Sequence, residues 1–397
     1  MKMVSTQAQL EKLFQETYSE VIQREKTSFD KFAEPFINSC VLFGAGGLGK
    51  KTLAGLRRIG LEPLAFADNN PSLWNQCIDG LQVLSPRDAV SKFGRCAVFI
   101  ISIWRAGGGH RLNKTREQLL NLGCVTVVSF AHLFWKYADI FLPYYGIDLP
   151  HMIYQDADEI RKTFSLWSDD SSRLEYLAQL RWRLFLDFDG LSSPVEHEQY
   201  FPPDLFSFSP DEVFVDCGAF DGDSLTSFLH LRGDEFRTYI ALEPDPANFE
   251  KLKNYISTFG ATLRDKITLH QLAAASQRGK LFFDATGTAS ATICTEGKIE
   301  IECAALDELL IDDHPTYIKM DIEGAEPDAL IGAKHIIQKF KPVLAISVYH
   351  QQNHLWKIPL LVQSLYDQYC FYLRPHNEEG WDLILYAVPR ERSLKKV

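Results

Sequence analysis

No CxxC pair occurs anywhere in the 397 residues, which removes the zinc ribbon and the dithiol redox motif from consideration. The eight cysteines stand apart, at 40, 77, 96, 124, 217, 294, 303 and 370, several inside apolar runs such as SCVLFGAG and CAVFIIS. A lone thiol in such a run behaves as a small core residue, so reduced thiols in a cytoplasmic protein are expected. Also missing are a basic-then-apolar leader and any apolar run of about 18 residues, so no membrane span is expected. Positive charge is scarce: 41 Lys and Arg against 52 Asp and Glu leave a formal net charge of −11. Phosphate contacts need clustered cations, so nucleic acid is not an expected partner, and a small or neutral substrate fits better. What is present, 46% hydrophobic and 23% charged residues, is ordinary globular composition and excludes disorder or coiled coil for the whole. The length favours two or more domains.

Four segments follow from the pattern along the chain. Residues 1–38 hold an amphipathic helix over Thr6 to Phe32, with Leu10, Leu13, Phe14, Tyr18, Val21 and Ile22 at spacings of three and four. Thr6 and Gln9 are placed to form its capping box. Such a helix packs on a neighbouring domain or on a second subunit, which leaves a homo-oligomer open. Residues 39–140 alternate strand and helix: CVLFGAG, PLAFADNN, CAVFIISIW and CVTVVSF are strands, and GKKTLAGLRRIG is a helix closed by Gly60. This is the mark of βαβ units and a parallel sheet, at little more than half the length of a full dinucleotide-binding domain. Residues 141–205 form a partly helical connector, ended by the helix-blocking pair Pro202–Pro203. From 206 to 397 a second alternating series runs, so the fold class is α/β with two tandem Rossmann-like units.

Each unit opens on a glycine turn, and the two differ. In the first, Gly44, Gly46 and Gly49 have GxGxxG spacing between strand and helix, and Asp68 ends the next strand. Glycines there let the backbone approach a diphosphate at a helix N-terminus, and the acid can hold a ribose diol. A tight structural turn, a non-nicotinamide nucleotide and NAD(P) all remain readings of it. In the second, Asp216 precedes Gly218 and Gly222 as DxGxxxG. A carboxylate before the glycines would repel a diphosphate but welcome an ammonium group. Asp223 or Ser224 can cap the helix that follows. Glu243 ends the next strand in ALEPD, placed to accept two ribose hydroxyls. An acid-first turn answered by a second acid one strand later is the layout for S-adenosylmethionine in a doubly wound sheet.

These residues lie in runs, FVDCGAFDGDS, ALEPDPANFEKLKNYI, LAAAS, KMDIEGAEPDALIGA and PVLAISVYH, through which Asp211 to about Pro389 resembles the FkbM family of methyltransferases. The KxDxEGAE pattern from Lys319 to Glu326 is the most specific of them. The resemblance implies a seven-stranded class I methyltransferase sheet and methyl transfer from S-adenosylmethionine to a hydroxyl, often on a sugar, glycan precursor or natural product. It also implies that Asp245 and Ala273, in the second and third runs, lie beside the cofactor. The first unit resembles, more loosely, Rossmann-like domains attached to sugar-modifying enzymes, through VLFGAGGLG, FADNNP and GLQVLSP. A second nucleotide could bind there.

An alcohol acceptor must lose its proton as the new bond forms, so a base or a metal is needed at the strand ends. Asp321 and Glu323 follow the strand YIKM, and Lys319 shares a face with Asp321. The bland alternative is that Glu323 and Glu326 only cap the next helix. His350 ends the following strand, with His354 soon after, and imidazole is a base near neutral pH. Asp321, Glu323 and His350 suit a hard cation by type, but their spacing fits no metal motif and no metal is expected. The Gly/Thr/Ser-rich stretch from Asp284 to Gly297 is either an acceptor loop or a hairpin turn. Two competing functions remain: a nicotinamide-dependent oxidoreductase using the first unit, and a nucleotide sensor without turnover.

Overall fold

The computed structural model describes residues 5–107, 109, 111–284, 292–293, 299–310 and 312–395. They divide into two units, one of Met1–Ala157, Glu175–Ser193 and Asn377–Trp381, the other of Asp158–Leu174, Pro194–His376 and Asp382–Val397. Among the described residues no helix is long and apolar enough to cross a membrane.

The first unit begins with two helices where the sequence reads as one, Thr6–Leu13 and Tyr18–Ala33. The break has a local cause. Thr17 and Glu20 form a capping box, in which Glu20 accepts from the Thr17 N–H at 2.7 Å and Thr17 Oγ1 accepts from the Glu20 N–H at 3.3 Å. A box of this kind starts a helix, so the chain restarts there. The first helix is capped by Ser5, not by the expected Thr6–Gln9 pair.

Strands β1 (Cys40–Phe43), β2 (Ala65–Ala67), β3 (Cys77–Ile78), β4 (Leu81–Leu84), β5 (Val98–Ile101) and β6 (Thr126–Ser129) form one sheet in the order β3-β4-β2-β1-β5-β6. All neighbours are parallel except β3 and β4. Every residue of β1, β2 and β5 is buried, as expected for strands covered on both faces. The two strands beyond β1 on the β5 side are the expected runs CAVFIISIW and CVTVVSF, whereas the short pair β3–β4 is not marked by the strand pattern. The segment expected to be a partly helical connector carries the helices Pro150–Gln155, Ala157–Phe164 and Asp170–Phe185.

The second unit is built on a seven-stranded sheet. Its strands are β7 (Val213–Cys217), β8 (Thr238–Leu242), β9 (Ile267–His270), then β14 (Tyr317–Met320), β15 (Val343–Ser347), β16 (Tyr369–Pro375) and β17 (Leu383–Pro389), in the order β16-β17-β15-β14-β7-β8-β9. Only β17 runs antiparallel to the central strands, inserted between β15 and the edge strand β16. This is the class I methyltransferase sheet expected. A smaller four-stranded sheet holds β10 (Ala273–Ala274), β11 (Gly279–Asp284), β12 (Thr292–Ile293) and β13 (Ile299–Ala304). The run KITLHQLAAA is therefore split between the two sheets. Most of the stretch from Asp284 to Gly297, taken as acceptor loop or hairpin turn, lies outside the described residues.

Aromatic rings dominate the packing under the large sheet. Phe214 stacks on Tyr317 at 4.7 Å and on Tyr239 at 5.0 Å, from the two strands flanking β7. All three rings are fully buried, each worth roughly 1.5–3 kcal/mol of apolar burial. Because they sit opposite one another on β14, β7 and β8, they brace the strand register on which the site depends.

Candidate functional site

The parallel register pairs Asp216 of β7 with Lys319 of β14. Both side chains leave the same face, and the ammonium lies 2.8 Å from the carboxylate with neither exposed. Tyr239 of β8 donates its hydroxyl to the other oxygen of Asp216. The carboxylate expected to meet an ammonium of a ligand thus meets one of the protein's own. Burial alone would lower the pKa of Lys319, but Asp216, Asp321 and Asp223 outweigh it and hold the group charged. Its Nζ also donates to the Gly218 carbonyl at 2.6 Å, tying the strand to the turn above it.

Gly218 has φ +82°, and a β-carbon there would lie 2.0 Å from the Asp321 carbonyl oxygen. Only glycine meets both demands. Gly222, at φ +97°, is the N-cap of the helix Asp223–Arg232. Asp223 is not the cap; its carboxylate accepts from the adjacent Ser224 N–H at 2.6 Å.

Glu243 stands just past β8, buried beside the same turn. One carboxylate oxygen accepts from the Phe220 N–H at 2.8 Å and the other from the Asp245 N–H at 2.9 Å. Burial pushes its pKa up to about 7, against these two hydrogen bonds. Each oxygen retains a lone-pair direction for a further donor. Asp245 is buried, and its carboxylate caps the helix Pro246–Ser257 by accepting from Ala247 and Asn248. Ala273 sits buried in β10, paired with Cys303 of the smaller sheet.

At the ends of β14 and β15 a second group gathers. His350 Nδ1 lies 2.8 Å from Glu326, while Nε2 faces Asp321 at 3.3 Å and Glu323 at 3.7 Å. Burial would lower the imidazole pKa, but Glu326, Asp321 and Glu323 together push it up to about 9. Burial pushes Glu323 up to about 7, opposed by His350. Asp321 goes the other way: burial is outweighed by His350, Lys319 and the Tyr200 hydroxyl, which hold it below the usual carboxylate range. One donor atom each of Asp321, Glu326 and His350 lies within 4.8 Å of the others. The fold thus gathers Asp321, Glu323 and His350 as a cluster and sets Lys319 apart, against Asp216.

Two members of this group were not singled out from sequence. Glu326 accepts from the Ile322 N–H at 3.0 Å, as a helix-start acid would, but its main partner is His350. Tyr200 comes from the proline-containing connector and donates to Asp321 at 2.7 Å. Its backbone, at φ +71°, is held by the hydroxyls of Tyr386 and Tyr317. A lone Tyr beside a Pro pair carries no periodic signal that could have revealed it.

In the first unit the glycine turn and its acid also come together. Asp68 accepts from the Ala45 N–H and the Asn70 N–H, both at 2.8 Å. Gly44, at φ +115°, and Gly49 meet so closely that a β-carbon on Gly49 would be 1.9 Å from the Gly44 carbonyl oxygen. Gly46 is the N-cap of the helix Gly47–Arg58 and has open space around it. A cavity of about 660 Å³ lies nearby, lined by Asn69, Trp74, Ser85, Asp88 and Gln118 among others.

Residues 216–379 match the family model described as the methyltransferase FkbM domain. The crystal structure of a methyltransferase FkbM from Methylobacillus flagellatus KT is similar at a TM-score of 0.75 and 22% identity, over 96% of this chain and 98% of that one. That likeness shows a shared fold. The methyltransferase domain of a bacterial CtHen1 is similar over 45% of this chain and 90% of that one, at 12% identity and a TM-score of 0.29, too slight to bear on function. No curated protein sequence matches.

Proposed function

We propose, from the match of residues 216–379 to the FkbM methyltransferase domain model, that the protein moves a methyl group from S-adenosylmethionine to a hydroxyl oxygen. The acceptor is a small molecule, a sugar, glycan precursor or natural product. The observation that carries this reading is the buried Glu243 carboxylate beside the Gly218–Gly222 turn, with each oxygen holding one backbone N–H. Such an acid can take both hydroxyls of a ribose on the lone pairs that these two N–H groups leave.

When bound, the cofactor supplies a methyl group activated on a sulfonium. Glu243 would hold its ribose, and the Gly218–Gly222 turn would back its amino-acid end. Asp216 and Lys319 neutralise each other beneath that turn and shape it without touching the ligand. Asp223, Asp245 and Ala273 belong to the walls of the same region, Asp245 by setting the entry of its helix.

At the other group, Glu323 is the proton acceptor for the hydroxyl, since a carboxylate with a pKa near 7 is matched to neutral pH. Asp321 stays ionised and orients the hydroxyl. His350, held from behind by Glu326, positions both acids rather than acting as the base. The seven described cysteines are all free thiols, which supports a reducing compartment such as the cytoplasm.

Calorimetry with S-adenosylmethionine, S-adenosylhomocysteine and NAD tests the cofactor. Binding of NAD alone would overturn the reading in favour of the first unit as the working one. A screen of hydroxylated acceptors by a one-methyl mass gain tests the reaction.

A further inference from the structure

The environment of His350 is unusual in a way that methyl transfer by itself does not demand. Its side chain is 2% exposed. Glu326 takes the Nδ1 side, so the Nε2 side faces outward, where it makes no hydrogen bond. What Nε2 does face is two carboxylates, Asp321 and Glu323. A neutral imidazole with its proton on Nδ1 would aim a lone pair at two anions. A positive charge fits between them, either a second ring proton or a bound cation that displaces it.

We propose that Asp321, Glu323 and His350 Nε2 form a seat for one hard divalent cation of the magnesium or manganese type, with Glu326 holding the imidazole from behind. A carboxylate on the far nitrogen is the usual support of a metal-bound histidine, because it sets the tautomer and the ring orientation. The 3.3 Å between Nε2 and Asp321 Oδ1 is close to the spacing of two adjacent ligands around a cation at about 2.1 Å. Glu323, at 3.7 Å from Nε2, would have to turn inward to join, since the donor atoms within 4.8 Å of one another are those of Asp321, Glu326 and His350. Two carboxylates with a single nitrogen favour a hard cation over zinc or copper.

The seat is open on one side. The side chains of Asp321 and Glu323 are 25% and 20% exposed, against 2% and 0% for His350 and Glu326. Water or an acceptor hydroxyl can therefore complete the coordination, and a hydroxyl so bound passes its proton more easily to the uncoordinated oxygen of Glu323. The residues lie far apart in sequence, at 321, 323 and 350, and only the adjacency of β14 and β15 assembles them. That is why no metal motif is visible in the sequence.

The catalytic meaning of this seat rests on the methyl-transfer reading; the seat itself does not. The test is calorimetry of manganese(II) into the full-length protein without cofactor. One cation per chain is expected, with affinity weakened by about tenfold or more in Asp321→Asn and in His350→Gln. No uptake at millimolar manganese, or uptake that both variants leave unchanged, overturns the proposal. Far-UV circular dichroism confirms that the variants are folded, and Glu323→Gln serves if either is not. S-adenosylmethionine binding, titrated separately without manganese, reports on the methyl-transfer reading alone, so failure of one is distinguishable from failure of the other.

Discussion

The ammonium of Lys319 lies 2.8 Å from the carboxylate of Asp216, across two paired strands and out of contact with water. Two charges so placed hold each other in place, and removing one strands the other. Lys319→Met is expected to cost about 3–5 kcal/mol of stability, as for other broken buried pairs. Urea unfolding measures it. The double change Lys319→Met with Asp216→Asn should recover part of the loss, and a single-variant cost under about 1 kcal/mol would show that the pair is not held as described.

Glu243→Gln keeps the shape of the side chain but weakens it as an acceptor. Affinity for S-adenosylmethionine and S-adenosylhomocysteine should fall together, by about tenfold, since both carry the ribose. Calorimetry showing a loss for only one of them would place Glu243 elsewhere on the ligand.

His350 should leave a mark on stability as a function of pH. Its folded pKa of about 9 exceeds the usual 6.5, so the protonated form is favoured by folding. The stabilisation is complete below pH 6.5 and disappears as pH rises through 9. Denaturant curves of the native protein should show this decline between those values, and His350→Gln should flatten it. A variant with the same slope as the native protein would mean that other groups carry it.

Gly218→Ala should be poorly tolerated. The added carbon would stand 2.0 Å from the Asp321 carbonyl oxygen on a backbone of φ +82°, and a loss of roughly 2–4 kcal/mol is expected in thermal unfolding. A melting temperature equal to that of the native protein would contradict the contact.

Gly46→Ala in the first unit makes the opposite case, because nothing lies within 4 Å of the new carbon. Stability should stay within about 0.5 kcal/mol. If the first unit takes a nucleotide at this turn, the same change should weaken that ligand, whereas a purely structural turn predicts no change in any nucleotide titration.

Strands β7, β8, β14 and β17 were legible because each is a short apolar run closed by an acid, a glycine or a proline, whereas β9 and β10 lack such a stop and read as one run. Two other features were legible but read past. Asp79–Gly80 joins β3 to β4 in a two-residue turn with both φ values positive, and an Asp-Gly pair is a strong hairpin signal. Thr17 and Glu20 spell a capping box inside what looked like a continuous helix. The site was legible in part. Gly218, Gly222 and Glu243 are marked by their positions at strand ends, but the direction of a side chain is set by pairing register. Register is a property of two strands at once, so Asp216 could be placed at the turn without showing that Lys319 takes its charge. Tyr200 illustrates the limit: its hydroxyl reaches Asp321 from 121 positions away, by a route no local pattern encodes.

The contact between Gly218 and Asp321 has a mechanical side. Two loops that rise from neighbouring strands rest on one another there, the Gly218 backbone against the Asp321 carbonyl with the Ile322 side chain beside it. Motion of either loop carries the other, so the edge of the sheet has one hinge fewer than its two separate turns suggest.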